Sequence, residues 1–182
     1  MIYKKRDDTL QLKIIIIGIL IGCSYLIGDF IHKSYIKRHK QLNDLIRILE
    51  VIRMDLSFGL YTLEEIFRRI GDKKESCFSI FFKSMADELD SNRDKVLDEI
   101  LEDNLIILNN ETYLQSKEVD ELKTLILTLG KSDITSQERM INLSVENLKG
   151  LTTDSKEDIS KKGNLYKQLV MFIGICIGII LI

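Results

Sequence analysis

The side chains best able to do chemistry are few and poorly placed to cooperate. The two histidines, His32 and His39, have no cysteine, histidine or carboxylate set at metal-ligand spacing around them. Cys23, Cys77 and Cys176 show neither metal nor redox spacing, and two of them sit inside apolar runs, so they read as small hydrophobes in a reducing setting. Gly71-Asp72-Lys73-Lys74 places cations after a glycine but lacks the upstream glycine and the strand that a phosphate-cradling loop needs. No glycine-serine nucleophile motif is present. The one dense cluster is Asp98, Glu99, Glu102 and Asp103, whose spacing puts four carboxylates on one side of a helix. Such a face is solvated by default, and its natural use is to meet a basic protein surface. The reading is therefore of a non-enzyme, with no cofactor, no metal, no small-molecule substrate and no nucleic acid partner.

What must position these residues is helix. No proline occurs in the 182 residues, so nothing forces a break. The apolar fraction of 45% is ordinary in size but concentrated at the two ends. Charge is uneven as well: residues 31–60 hold six Lys/Arg against three Asp/Glu, and residues 61–130 hold nine against sixteen. A basic stretch near the first apolar run and an acidic middle argue for a protein partner rather than a nucleic acid.

Residues 1–13 form a charged extension, and Ile14 to Gly28 is an uncharged run followed by Asp29. No small-residue cleavage site follows it, so a first transmembrane helix over 14–28 is expected rather than a secretory signal. Asp29 is an interfacial residue that can reach Lys33 one turn on. Leu169 to Ile182 is a second uncharged run, and a second transmembrane helix is expected over 169–182. At about 1.5 Å per residue both runs are shorter than the roughly 30 Å hydrocarbon core, and snorkelling flanks such as Lys167 would supply another turn. Gly18 and Gly22 in the first run and Gly174 and Gly178 in the second share a spacing of four, which lets helices in lipid approach closely. The pattern does not say whether the two spans meet each other or a partner.

Lys33, Lys37, Arg38 and Lys40 follow the first run, and Lys156, Lys161, Lys162 and Lys167 precede the second. By the positive-inside rule residues 29–168 form a cytoplasmic helical bundle, although Lys4, Lys5, Arg6 and Lys13 pull the other way. Leu42, Leu45, Leu49, Ile52 and Leu56 recur at threes and fours, so one rod is expected from about Leu12 to Ser57, ended by Gly59. Thr62 with Glu65 predicts a capping box opening a helix that closes at Gly71. Phe78, Phe81, Phe82, Met85 and Leu89 make the core face of the next helix. Ser91 and Asp94 are expected to start another, with Val96, Leu97, Ile100 and Leu101 inward, and Leu105–Leu108 reads as a loop or helix end. Val119, Leu122, Ile126 and Leu129 line a further helix capped by Gly130. Asp133 is the expected N-cap of a last helix that carries Ile141, Val145 and Leu148 and runs to Ile182 without a compelled break. The fold class is all-α: a membrane-anchored helical bundle, two transmembrane helices continuous with long cytoplasmic helices that flank short helical hairpins.

The stretches Tyr35-Ile-Lys-Arg38-His-Lys-Gln41-Leu42 and Leu129-Gly130-Lys-Ser-Asp133-Ile-Thr-Ser-Gln137 carry a further signal. With Leu49-Glu50, Gly59, Thr62-Leu63 and the closing Gly174-Ile-Cys-Ile-Gly178, in this order and spacing from about Leu10 onward, the chain resembles the stage III sporulation protein AB family of spore-forming bacteria. Members usually have Thr-Pro-Leu where this chain has Thr62-Leu63, so a rigid first helical residue is missing here. The resemblance implies a component of the mother-cell membrane apparatus that joins mother cell and forespore during endospore formation. It further implies a platform similar to those of type II secretion and type IV pilus machines. The implied partners are a cytoplasmic secretion-type ATPase, stage III sporulation protein AA-like, and other membrane components of the same complex. A membrane-anchored regulator that recruits a soluble signalling partner is the alternative, and it would need no oligomeric platform.

Overall fold

The computed structural model describes residues 2–59, 61–73, 76–91, 95–129 and 133–181, with side-chain surroundings from Ile15 to Ile180. The elements are α1 (Ile2–Phe58), α2 (Leu63–Gly71), α3 (Ser79–Ser91), α4 (Leu97–Glu111), α5 (Ser116–Leu129), α6 (Ile134–Asp158), a π-helical turn (Ile159–Gly163) and α7 (Asn164–Leu181). No strand occurs among the described residues. The all-α expectation holds. The chain divides into two packed units, residues 37–155 and residues 1–36 with 156–182.

The 37–155 unit is built around the α1 seam. Leu42, Leu45, Leu49 and Ile52 are fully buried there, and Gly59 ends α1 with φ at 60°, its N–H donating to Leu56 O at 2.9 Å. Thr62 then caps α2 as its spacing requires: the Glu65 N–H donates to Thr62 Oγ1, and the Thr62 N–H donates to Glu65 Oε2 at 2.7 Å. The Thr62 N–H foremost, and then the Thr62 hydroxyl donating to the same Oε2 at 3.1 Å, hold the Glu65 carboxyl below its ordinary pKa. Helices α2 and α3 close on each other at Gly71, where a Cβ would lie 2.7 Å from the Lys83 Cα, so only glycine fits. Phe67, Phe81 and Phe82 fill the space between them, with Phe67 and Phe82 ring centroids 5.3 Å apart and Phe81 and Phe82 5.1 Å apart. Burying each such ring contributes about 1.5–3 kcal/mol.

Three expectations for the middle of the chain are corrected. Ser91 ends α3 instead of starting the next helix, while Asp94 lies outside the described residues. Val96 is the extended N-cap of α4 and points to solvent, 57% exposed. The inward stripe therefore begins with half-buried Leu97 and continues through buried Ile100 and Leu101. Leu105–Leu108 is neither loop nor helix end: α4 runs through it to Glu111. As helix, Leu101, Leu105 and Leu108 stay on one face at steps of four and three, and Ile106 faces out. Helix α5 buries Val119, Leu122, Leu125, Ile126 and Leu129, and Gly130 lies outside the described residues. Asp133 receives Ser136 N–H at 3.4 Å ahead of α6, which sends Ile141, Val145 and Leu148 inward.

In the other unit the last helix is not a uniform α-helix. The π-helical turn interrupts it, with Gly163 seated where a Cβ would lie 2.9 Å from His32 Nδ1. That close approach explains why a glycine stands there. Helices α1 and α7 run antiparallel, since Gly163 faces His32, Gly28 faces the Lys167 backbone, Gly174 faces Ser24 and Gly178 faces Ile17. Asp29 pairs with Lys33 at 2.8 Å, as the spacing predicts, and also with Lys167 at 3.4 Å, whose ammonium sits over the Tyr25 ring. Two helical stretches, Ile15–Phe58 and Ile134–Ile180, contain windows long and apolar enough to cross a membrane. Only 6% and 17% of those windows are buried, unlike the core helices of a soluble protein, which are mostly buried.

Candidate interaction surfaces

The motif positions at the end of the first basic stretch turn out to fasten a corner. Arg38 and Glu118 are both buried, and Glu118 Oε1 accepts from Arg38 Nε at 2.9 Å and from Nη2 at 2.5 Å. Its other oxygen accepts the Gln115 N–H at 2.6 Å, capping α5 from within. One helical turn on, Gln41 Oε1 accepts the Tyr113 N–H at 2.7 Å. Together Arg38 and Gln41 bind the α4–α5 connection to α1, and Lys37 lies over the Tyr113 ring. Tyr35 packs near Gly163 in the other unit's helix pair.

The second motif does the same at the next corner. Gln137 Nε2 donates to Leu129 O at 2.6 Å, satisfying a carbonyl at the end of α5. Asp133 caps α6 through Ser136, and these hydrogen bonds, the side-chain one first, keep its carboxyl below the usual range. These positions tie the helices of the bundle together.

The acidic cluster behaves as a surface. Asp98, Glu99, Glu102 and Asp103 are all exposed on α4. Lys95 reaches Asp103 at 2.9 Å, and Lys123 binds Glu102. These carboxylates raise the pKa of both lysines, chiefly by accepting their hydrogen bonds. The face is thus acidic but partly balanced by its own lysines.

The glycine pairs differ in their surroundings. Gly174 and Gly178 lie against α1, whereas a Cβ at Gly18 or Gly22 would meet nothing within 4 Å. Gly28, not singled out by spacing, is the α1 glycine that touches α7.

Among the described residues no group of three or more His, Cys, Asp and Glu is placed to hold a metal ion. His32 and His39 each bury an Nδ1 without a hydrogen-bond partner among the described residues. All three cysteines are free thiols, and burial, the largest of several causes, pushes the Cys77 thiol above its ordinary pKa. Sequence reasoning missed Glu118 because it sits beside the apolar Val119 with no periodic signal of burial. Its only trace is a carboxylate three positions after Gln115, the spacing of a reciprocal cap.

Comparisons with known proteins agree on one family. A profile of the stage III sporulation protein AB family matches residues 13–182. The stage III sporulation protein AB of Bacillus subtilis (strain 168) is 23% identical over 168 residues, covering 89% of this chain and 98% of that protein. A solved structure of a stage III sporulation protein AB superposes with a TM-score of 0.61 at 23% identity, over 68% of this chain and 96% of the other, which establishes likeness of fold. A profile match spanning nearly the whole sequence makes this chain a member of the stage III sporulation protein AB family.

Proposed function

We propose that the protein is a membrane platform required for endospore formation, a scaffold in a secretion-like complex between mother cell and forespore. Its helical unit would dock a cytoplasmic secretion-type ATPase, stage III sporulation protein AA-like. The observation that carries the reading is family membership together with two poorly buried, membrane-length apolar windows in a chain that also holds a well-packed helical unit. In this reading both helices cross the mother-cell membrane, residues between them are cytoplasmic, and other membrane components of the complex pack against the spans.

The acidic α4 face of Asp98, Glu99, Glu102 and Asp103 is the proposed ATPase contact, since a charged rim steers and selects a basic partner. Reversing all four charges to lysine and co-purifying the ATPase from membranes tests it. The reading expects loss of the ATPase with membrane insertion intact; undiminished recovery would remove α4 as the contact.

A further inference from the structure

A second surface carries chemistry that the platform reading does not use. Where α1 turns into α2, Asp55 is buried, 7% exposed, and Arg69 Nη1 donates to its Oδ1 at 2.9 Å. Its other oxygen, Oδ2, is covered from solvent and has no hydrogen-bond partner among the described residues. A buried carboxylate oxygen without a donor is costly, because desolvation of the charge is not repaid. Arg69 does not solve this: its side chain is half exposed and its guanidinium lies over the Tyr61 ring, 4.8 Å from the centroid. One helical turn beyond Asp55 stands Phe58, 68% exposed, and Met54 four residues before it and Tyr61 three residues after it are exposed as well.

An aromatic and thioether surface flanking an underpaired buried anion is a recognition site with a definite complement. We infer that the corner of Asp55, Phe58, Tyr61 and Arg69 docks a protein segment presenting an arginine next to a large apolar side chain. The partner's guanidinium takes Asp55 Oδ2 while its apolar neighbour covers Phe58. Charge complementarity selects the occupant: the free valence is on an anion, which rejects acidic peptides and phosphate. The planar fork of arginine meets a carboxylate better than a lysine point charge. Exposed aromatic anchors beside a desolvated charge are also where binding energy concentrates. In this arrangement Arg69, held on Oδ1 and over Tyr61, competes with the incoming guanidinium for the same carboxylate charge. The site lies on α1 and α2, apart from the α4 carboxylates, and stands whether or not α4 contacts an ATPase.

The test uses the full chain in zwitterionic nanodiscs and a labelled helical peptide that repeats arginine and leucine at three-and-four spacing. A second peptide carries neutral citrulline for arginine, and empty nanodiscs control for lipid binding. Fluorescence anisotropy is read for the native chain, Asp55→Asn, Phe58→Ser, Arg69→Gln and an Asp98→Asn/Glu99→Gln/Glu102→Gln/Asp103→Asn variant, each checked for native helicity. The proposal expects Asp55→Asn and Phe58→Ser each to weaken the arginine peptide by about tenfold. It expects citrulline to abolish the preference and the α4 variant to bind like the native chain. Arg69→Gln separates docking from a structural role: losing the competitor should tighten binding, whereas a merely structural ion pair would make it mimic Asp55→Asn. Equal binding by Asp55→Asn, loss confined to the α4 variant, or binding matched by empty nanodiscs would each overturn the proposal.

Discussion

Arg38 and Glu118 stand 80 positions apart and meet in a buried ion pair, with two guanidinium nitrogens on one carboxylate oxygen and the Gln115 N–H on the other. The pair sets the register of α5 on α1 and is fully satisfied, the condition under which a buried charge is tolerated. Around it, Gln41 and Gln137 tie off the two connections that flank α5.

Removing one member of that pair should be far worse than removing both. Arg38→Met leaves the Glu118 carboxylate buried and uncompensated, a loss of about 3–5 kcal/mol, whereas Arg38→Met with Glu118→Leu should recover most of it. Urea unfolding of the full chain in detergent, followed by helicity, measures both. A single variant within about 1 kcal/mol of the native chain, the scale of exposed pairs, would show that the pair is not buried in solution.

Gly71→Ala should disturb the α2–α3 contact. The added carbon would lie 2.7 Å from the Lys83 backbone, which cannot swing aside. The expected loss is about 1–3 kcal/mol, the range for overpacking. Gly150→Ala is the control: its Cβ meets nothing within 4 Å, and the change should stabilise α6 by roughly the glycine-to-alanine helix preference of about 1 kcal/mol.

Acid sensitivity follows from the two helix caps. Glu65 and Asp133 both have folded-state pKa values lowered by hydrogen bonds, to Thr62 and Ser136 respectively. The unfolded chain therefore binds protons more readily at both positions. Their stabilisation is complete above the ordinary carboxylate range and is lost as pH falls through the depressed values. Glu65→Gln with Asp133→Asn should flatten the dependence of stability on pH below about 5. An unchanged slope would show that the caps do not form in solution.

The spans separate the platform from the regulator. Gly174→Leu must collide with Ser24 and should spoil the pairing of α7 with α1 inside one chain. Gly18→Leu and Gly22→Leu enter open space and should leave the single chain intact. A platform that packs against other membrane helices through that face loses assembly in the Gly18→Leu/Gly22→Leu variant, seen as a smaller complex by native electrophoresis and a sporulation defect. A stand-alone regulator keeps both.

Much of this was legible in the residues. The α1 seam, the Thr62–Glu65 box, the stop at Gly59 and the Phe78–Phe82 face are local patterns, and local patterns survive folding. What was not legible is long-range or compensated. Arg38 reads as one more juxtamembrane cation until Glu118 is brought to it by the bundle. Leu105–Leu108 is ambiguous because a short apolar run fits strand, helix end or helix interior equally, and only the packing of α4 decides. Val96 faces solvent because α4 begins only at Leu97, several residues after Ser91 and Asp94, and a later onset turns that side chain from core to solvent. The π-helical turn at Ile159–Gly163 has no sequence signature beyond a glycine, and the close approach of His32 to Gly163 comes from another helix.

The central claim, a helical unit held on the cytoplasmic side by two membrane spans, is tested most directly by thiol labelling of intact sporulating cells. Single cysteines replace Tyr3, Lys95 and Ile182 in a chain whose Cys23, Cys77 and Cys176 are serine, and an impermeant maleimide is added before or after lysis. The platform account predicts that Lys95→Cys is protected until the cells are broken, while Tyr3→Cys and Ile182→Cys label from outside. Labelling of Lys95→Cys in intact cells would put the helical unit on the wrong side of the membrane for any cytoplasmic ATPase and contradict the account.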